Sequence, residues 1–188
     1  MHLVSDSSGC EGPKVVPSPV ETQEGSAMAH DLTYDRDTHI DLVFPALRVR
    51  GPEELWAHLA TALAPRLGCP AHDMRLQMEG RAEAPAAACM GDGLAALHIE
   101  SGALTHPLAV LAVLTEPLEV GAPDGAGVDM VYLLLSPPEP QGLALRRIAR
   151  VTRALKMPHL AARLRSETSP VAALALVSRM TDTLAEAA

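Results

Sequence analysis

Aromatic side chains are nearly missing: Tyr34, Phe44, Trp56 and Tyr132 are the only four in 188 residues. A core of ordinary density must then be built from Ala, Leu, Val and Met, with those four as rare bulky fillers. Cysteine is equally scarce. Cys10, Cys69 and Cys89 are odd in number, share no regular spacing and form no Cys-x-x-Cys pair, which suits a reducing cytoplasm better than a disulfide framework. No apolar run reaches membrane-spanning length, because Asp, Glu or Pro interrupts each one. The start of the chain lacks the basic and apolar stretches of a signal peptide. Positive charge is also short: the formal net charge is −8 and the pI is near 5.4, which argues against nucleic acid and anionic membranes as general partners. What is present is a hydrophobic content of 48%, enough for one domain with a real core. These absences together describe a cytoplasmic protein without membrane insertion.

Residues 1–37 are rich in Ser, Gly, Pro and acids without apolar periodicity and read as a disordered acidic tail ahead of one domain over 38–188. An extended segment follows over His39–Leu47. Gly51-Pro52-Glu53-Glu54 opens a helix, with proline in its first turn and acids at the positive end of its dipole. Leu55, Leu59, Leu63 and Trp56, Ala60, Leu67 recur at helical spacing until Gly68 ends it. A short helix is expected over Ala71–Gly80, with Met74 and Met78 in the core. Gly91-Asp92-Gly93 reads as a tight turn into a strand over Leu94–Ile99. Leu108–Leu114 and Val128–Leu135 are continuous apolar runs, the pattern of strands covered on both faces. Ala122-Pro-Asp-Gly turns the chain between them. Beyond Ser136-Pro-Pro the period becomes helical, with Leu145, Ile148, Thr152 and Leu155 on one face. Ser169-Pro170 caps and starts a last helix, with Val171, Leu174, Val177 and Leu184 inward. The expected class is α/β: a small mixed sheet with helices on both sides.

His98 is the candidate reactive group, since it ends the strand that leaves the glycine turn. Neutral imidazole is a good nucleophile near neutral pH and can carry a phosphoryl group on a ring nitrogen. Such a site needs one nitrogen open and the other fixed by a hydrogen bond. It also needs donors or cations for the phosphate oxygens, which backbone N–H groups at Gly91 and Gly93 could supply.

Gly91, Gly93, Leu94, Ala95 and His98 resemble, in order and spacing, the phosphorylatable motif of the fructose/mannitol and nitrogen-regulatory enzyme IIA proteins of the bacterial phosphotransferase system. That motif runs Ser-Thr-Gly-Ile-Gly-x-Gly-Ile-Ala-Ile-Pro-His-Gly-Arg/Lys. The resemblance continues through Glu116-Pro117, Ala122-Pro-Asp-Gly125, Val128-Asp129 and Leu133-Leu-Leu to Leu164-Arg165, covering roughly Ile40 to Val177. It implies the IIA fold, no cofactor, and a phosphoryl group received on His98 from an HPr-type phosphocarrier. The protein would then be a phosphocarrier at most, whose phosphorylation state regulates a target such as a membrane transporter or a kinase. With no sugar-transporting membrane domain attached, the regulatory branch is the expected one. By the same resemblance Arg81 falls on half of an upstream Arg-Glu pair. Arg146 falls where many members carry a second histidine, so both arginines are phosphate-stabilising candidates.

The motif also departs from the family's. Ala87-Ala88-Cys89 replaces Ser-Thr-Gly, Leu97 replaces proline, and Ile99-Glu100 follows the histidine in place of Gly-Arg/Lys. A carboxylate about 6 Å from a phosphohistidine would oppose each phosphate charge by roughly 3 kcal/mol at an effective dielectric of 20. These departures define the alternative, a IIA-like binding module that has lost the chemistry and regulates its partner by docking. Arg147, Arg150 and Arg153, with neighbouring Arg146, make a basic stretch expected to dock an acidic partner or the chain's own tail. Cys89, His98, Glu100 and His106 match no zinc spacing, so no metal is expected.

Overall fold

The computed structural model describes residues 38–81, 88–140 and 142–186. The expected acidic tail lies outside the described residues, as do residues 82–87. Five strands form one mixed sheet: β1 (Leu42–Leu47), β2 (Cys89–Gly91), β3 (Leu94–Glu100), β4 (Leu108–Leu118) and β5 (Val128–Ser136). Their spatial order is β1-β4-β5-β3-β2. β1 runs parallel to β4 and β3 parallel to β5, while β4 and β5 are antiparallel. Five helices cover the sheet: α1 (Pro52–Leu67), α2 (Ala71–Arg81), α3 (Leu143–Leu155), α4 (Pro158–Ser166) and α5 (Pro170–Glu186).

Side chains alternate across a strand, so a strand buried on both faces must be apolar at every position. β4 and β5 meet that condition. Ala109, Leu111 and Val113 with Met130, Tyr132 and Leu134 face α3, α4 and α5. Val110, Ala112 and Leu114 with Val131, Leu133 and Leu135 face α1 and α2. The helices supply one apolar stripe each. Leu55, Trp56, Leu59, Ala60, Leu63 and Leu67 are the buried residues of α1, as their spacing predicts. Met74 and Met78 are 1% and 0% exposed. Gly68 ends α1 in the left-handed region at φ +62°, which a residue with a Cβ rarely adopts. No helix among the described residues is long and apolar enough to cross a membrane.

Two expectations need correction, at Leu145 and at Val171. The expected inward face of the helix after Ser136 holds at Ile148, Thr152 and Leu155, but Leu145 is 68% exposed. The buried stripe of α3 runs through Ile148, Val151 and Leu155, with Ala144 packed against the same core, and Leu145 lies beside that stripe. Met157-Pro158 breaks the chain into α3 and α4, since proline cannot donate to the preceding turn. Ser169 does cap α5, its Oγ accepting from Ala172 N at 3.4 Å, yet Val171 in the first turn is 81% exposed.

Candidate functional site

The parallel pairing of β3 with β5 brings their carboxyl ends together, and the antiparallel β4 begins at that same end. β1, parallel to β4, also begins there. One end of the sheet therefore gathers His98, Ser136, the segment entering β4 and the segment entering β1. The start of α3 closes it. The His98–Leu134 and Glu100–Ser136 pairs set the register. His98 is half-buried, and its Nε2 lies 2.9 Å from Ser136 Oγ. Ser136 is 1% exposed, so the serine side of this part-buried bond is covered and one ring nitrogen of His98 has a hydrogen-bonding partner. If Nε2–H donates, the serine oxygen accepts; in the other tautomer the hydroxyl donates to Nε2.

Beside this pair, on the face of α3, lies a cavity of about 170 Å³. Its walls are His39 and Asp41 before β1, His106 and Pro107 before β4, Ala109 and Leu134 on the sheet, Tyr132 and Arg147. The His106 segment is tied to the end of β5 by Ser101 N–H donating to Ser136 O at 2.8 Å. Asp41 fastens the β1 entry: its Oδ2 accepts from Ala109 N at 2.8 Å. Arg147 Nη1 donates to both Glu139 oxygens at 2.7 and 2.5 Å, and both side chains are largely buried. Burial drives the Tyr132 hydroxyl far above its ordinary pKa, against the opposing pull of Arg147, and Asp41 adds to the rise.

The structure distributes the sequence-derived candidates unevenly. Successive helical residues differ by about 100° around the axis, so only one of Arg146 and Arg147 can point at the sheet. It is Arg147, 7% exposed, whereas Arg146 is exposed. Arg147 is thus a buried partner of Glu139 and not part of an exposed docking stripe. Arg146 and Arg153 are exposed on α3, and Arg150 is half-buried. Arg81 ends α2, and Gly80 just before it edges a shallow depression shared with Glu100, Ser101 and Gly102. The backbone of Arg81 therefore reaches the His98 end of β3, while its side chain lies outside the described set.

Gly91 and Gly93 sit at the other end of the strand. Five residues separate Gly93 from His98, which is about 16 Å in a strand, so the expected role of their backbone donors at a phosphate on His98 is corrected. The turn is a structural clasp instead. Its residues lie at φ +85°, +58° and +76°. Asp92 N–H donates to Asp124 at 3.2 Å, and Lys156 donates to Met90 O at 2.8 Å. Arg165 bridges Asp92 O and Asp129, and the hydrogen bond to Asp129 raises its already high pKa. Cys89 nearby is no activated thiol, since burial, then Asp124, pushes its pKa up. Among the described residues no group of three His, Cys, Asp or Glu side chains is placed to hold a metal ion.

Ser136, Tyr132 and Glu139 did not stand out as site residues in the sequence. Ser136 was visible only as a strand end before two prolines, and Tyr132 as a core filler. His39, Asp41 and His106 carry no motif at all, being joined only by the pairing of β1 with β4.

No protein-family model matches the chain, and no curated protein matches it. Solved structures do. The nitrogen regulatory protein IIA-Ntr from Neisseria meningitidis superposes with a TM-score of 0.64 at 19% identity, over 78% of this chain and 99% of that one. A phosphotransferase-system (PTS) IIA domain from Streptococcus pyogenes gives 0.59 at 17% identity, over 81% and 96% of the two chains. IIA mannitol from Escherichia coli gives 0.57 at 17%, over 72% and 94%. With the five-stranded mixed sheet and its two helical layers already established, these superpositions show that the chain has the fold of the PTS IIA domains.

Proposed function

We propose that this chain is a IIA-type phosphocarrier-like regulator in the cytoplasm, with His98 as the phosphoryl acceptor and an HPr-type phosphocarrier as donor. The observation that carries the reading is the bond between His98 Nε2 and the buried Ser136 hydroxyl, at the sheet end where the IIA-like motif puts its histidine. In the transfer, a ring nitrogen of His98 attacks phosphorus, a new N–P bond forms, and the donor's N–P bond breaks. The phosphohistidine then carries nearly two negative charges, and Arg81, ending α2 beside the tip of β3, is the cation proposed to offset Glu100. Arg147 is already committed to Glu139, so any contribution of its charge would be indirect. The phosphorylation state is read by a target protein, a transporter or a kinase. The exposed side of α3, where Leu145, Arg146 and Arg153 lie together, is the proposed docking surface.

The test is incubation with phosphoenolpyruvate, enzyme I and HPr, followed by intact mass. The expected result is a gain of one phosphate that is acid-labile and is lost in His98→Ala. Absence of transfer to the folded parent chain would overturn the reading and leave a docking module on the same fold.

A further inference from the structure

Between Leu143 and Ser166 the chain carries seven Arg or Lys residues and not one Asp or Glu, in a protein whose formal net charge is −8. The fold answers only part of that charge. Glu139 takes Arg147, Asp92 takes Lys156 and Asp129 takes Arg165, each acid coming from outside the stretch. Arg150 is half-buried and has a further interaction. Arg146, Arg153 and Arg163 are exposed, and no acid among the described residues pairs with any of them. Helical residues advance by about 100° and 1.5 Å each. Leu145, Arg146, Ala149, Arg150 and Arg153 therefore share the face of α3 opposite the buried Ile148, Val151 and Leu155. The arginines form a row about 10 Å long, bordered by Ala149 and by Leu145, which is 68% exposed.

The complementary charge lies in the same chain. The 37 residues ahead of Thr38 hold seven acids against two bases. Asp31, Asp35 and Asp37 are the nearest, with Leu32 and Tyr34 between them. Thr38 is 3% exposed, and His39 lines the same cavity as Arg147, so this segment joins the domain beside the first turns of α3. From there α3 runs toward the glycine clasp, where Lys156 reaches Met90 O. Seven extended residues span up to about 24 Å, more than twice the length of the arginine row. A long polyanion such as nucleic acid would meet the negative remainder of the protein as well as this row. A short acidic segment meets the row alone.

We propose that the acidic segment ahead of Thr38, led by Asp31 and Asp35, binds the Arg146–Arg153 face of α3 in the same chain. Exposed ion pairs are individually weak, but a short covalent tether holds the acids at a millimolar effective concentration, so weak pairs suffice. Guanidinium and carboxylate pair through two parallel hydrogen bonds, and Leu32 and Tyr34 supply apolar contact for Leu145. The segment then occupies the side of α3 assigned above to the target protein, and an incoming acidic target must displace it. That competition rests on the docking reading above; the contact itself does not, and it involves no chemistry at His98.

The test is ¹H–¹⁵N NMR of the full chain. Asp31→Asn with Asp35→Asn removes charge from the segment and leaves Asp37, beside buried Thr38, in place. Arg146→Ala with Arg153→Ala removes it from the helix face. Each pair is read on the opposite side: the Asn pair should shift the amides from Leu145 to Arg153, and the Ala pair those from Asp31 to Asp35. Salt at about 1 M, where the screening length is about 3 Å, should move the same amides in the parent. Combining all four substitutions should add little to either pair, as coupled sites require, and dilution should change nothing. A polyglutamate peptide should bind the Asn variant severalfold more tightly than the parent. The proposal is overturned if the Asn pair leaves the α3 amides unmoved, if its shifts centre away from α3, or if the parent's shifts change on dilution, which would make the contact one between two copies. Equal peptide affinity for parent and Asn variant would overturn the competition. If a target fails to dock on α3 while the shifts persist, the docking reading falls and the contact stands.

Discussion

Ser136 and Tyr132 show how much a single hydroxyl can matter when water is kept away from it. Ser136 Oγ holds the His98 ring at 2.9 Å from a position that is 1% exposed. Ser136→Ala is expected to cost about 1–2 kcal/mol in urea unfolding, the loss of one buried hydrogen bond. It should also slow phosphoryl transfer to His98, because the ring loses the contact that fixes its rotamer and tautomer. Transfer at the parental rate in the folded variant would remove Ser136 from the proposed mechanism. Tyr132 sets a pH dependence. Its folded pKa is raised by burial, so its contribution is complete below the ordinary tyrosine pKa of about 10 and falls as pH rises beyond it. The parent should lose stability above about pH 10, and Tyr132→Phe should lose measurably less over the same range when urea midpoints are compared. Equal slopes would contradict the burial argument.

At the scale of elements, the glycine turn and α3 carry the most information. The turn between β2 and β3 looks like a phosphate cradle in the sequence but works as a clasp between the sheet and α4. A Cβ at Gly93 would come within 2.6 Å of Asp129 Oδ1, at a φ of +76° that other residues avoid. Gly93→Ala should therefore destabilise the protein by about 1–3 kcal/mol and weaken the Arg165–Asp129 pair. Phosphoryl transfer in the fraction that remains folded should stay at the parental rate, since His98 lies five residues away. A selective loss of transfer with unchanged stability would restore the turn to the site. α3 divides its residues by depth. Leu155 is 0% exposed and Leu145 68%, so Leu155→Ala should cost about 2–5 kcal/mol, whereas Leu145→Ala should leave the thermal midpoint nearly unmoved. If Leu145 matters, the effect should show in partner binding.

Across the whole molecule, the sheet's two buried faces hold the domain together while its carboxyl edge does the chemistry proposed here. Continuous apolar runs at Leu108–Leu114 and Val128–Leu135 announced strands covered on both sides, because only a doubly buried strand has no position for a polar residue. The spacing of Leu55, Leu59 and Leu63 and the stop at Gly68 fixed α1 by local rules alone. Those features are set by neighbouring residues in the chain, and composition and periodicity record them directly. β2 and the exposure of Leu145 were not legible, because each depends on which neighbours the tertiary fold provides, whereas Pro158 marks the break between α3 and α4 locally. The same division applies to the site. His98 was marked by its motif, but its contact with Ser136 spans 38 residues and exists only because β3 pairs in parallel with β5. Arg146 and Arg147 are chemically alike in the sequence, and only the rotation of α3 against the sheet decided which one is buried. The cavity of His39, His106, Tyr132 and Arg147 joins four segments that no spacing relates, so tertiary structure alone could assemble it.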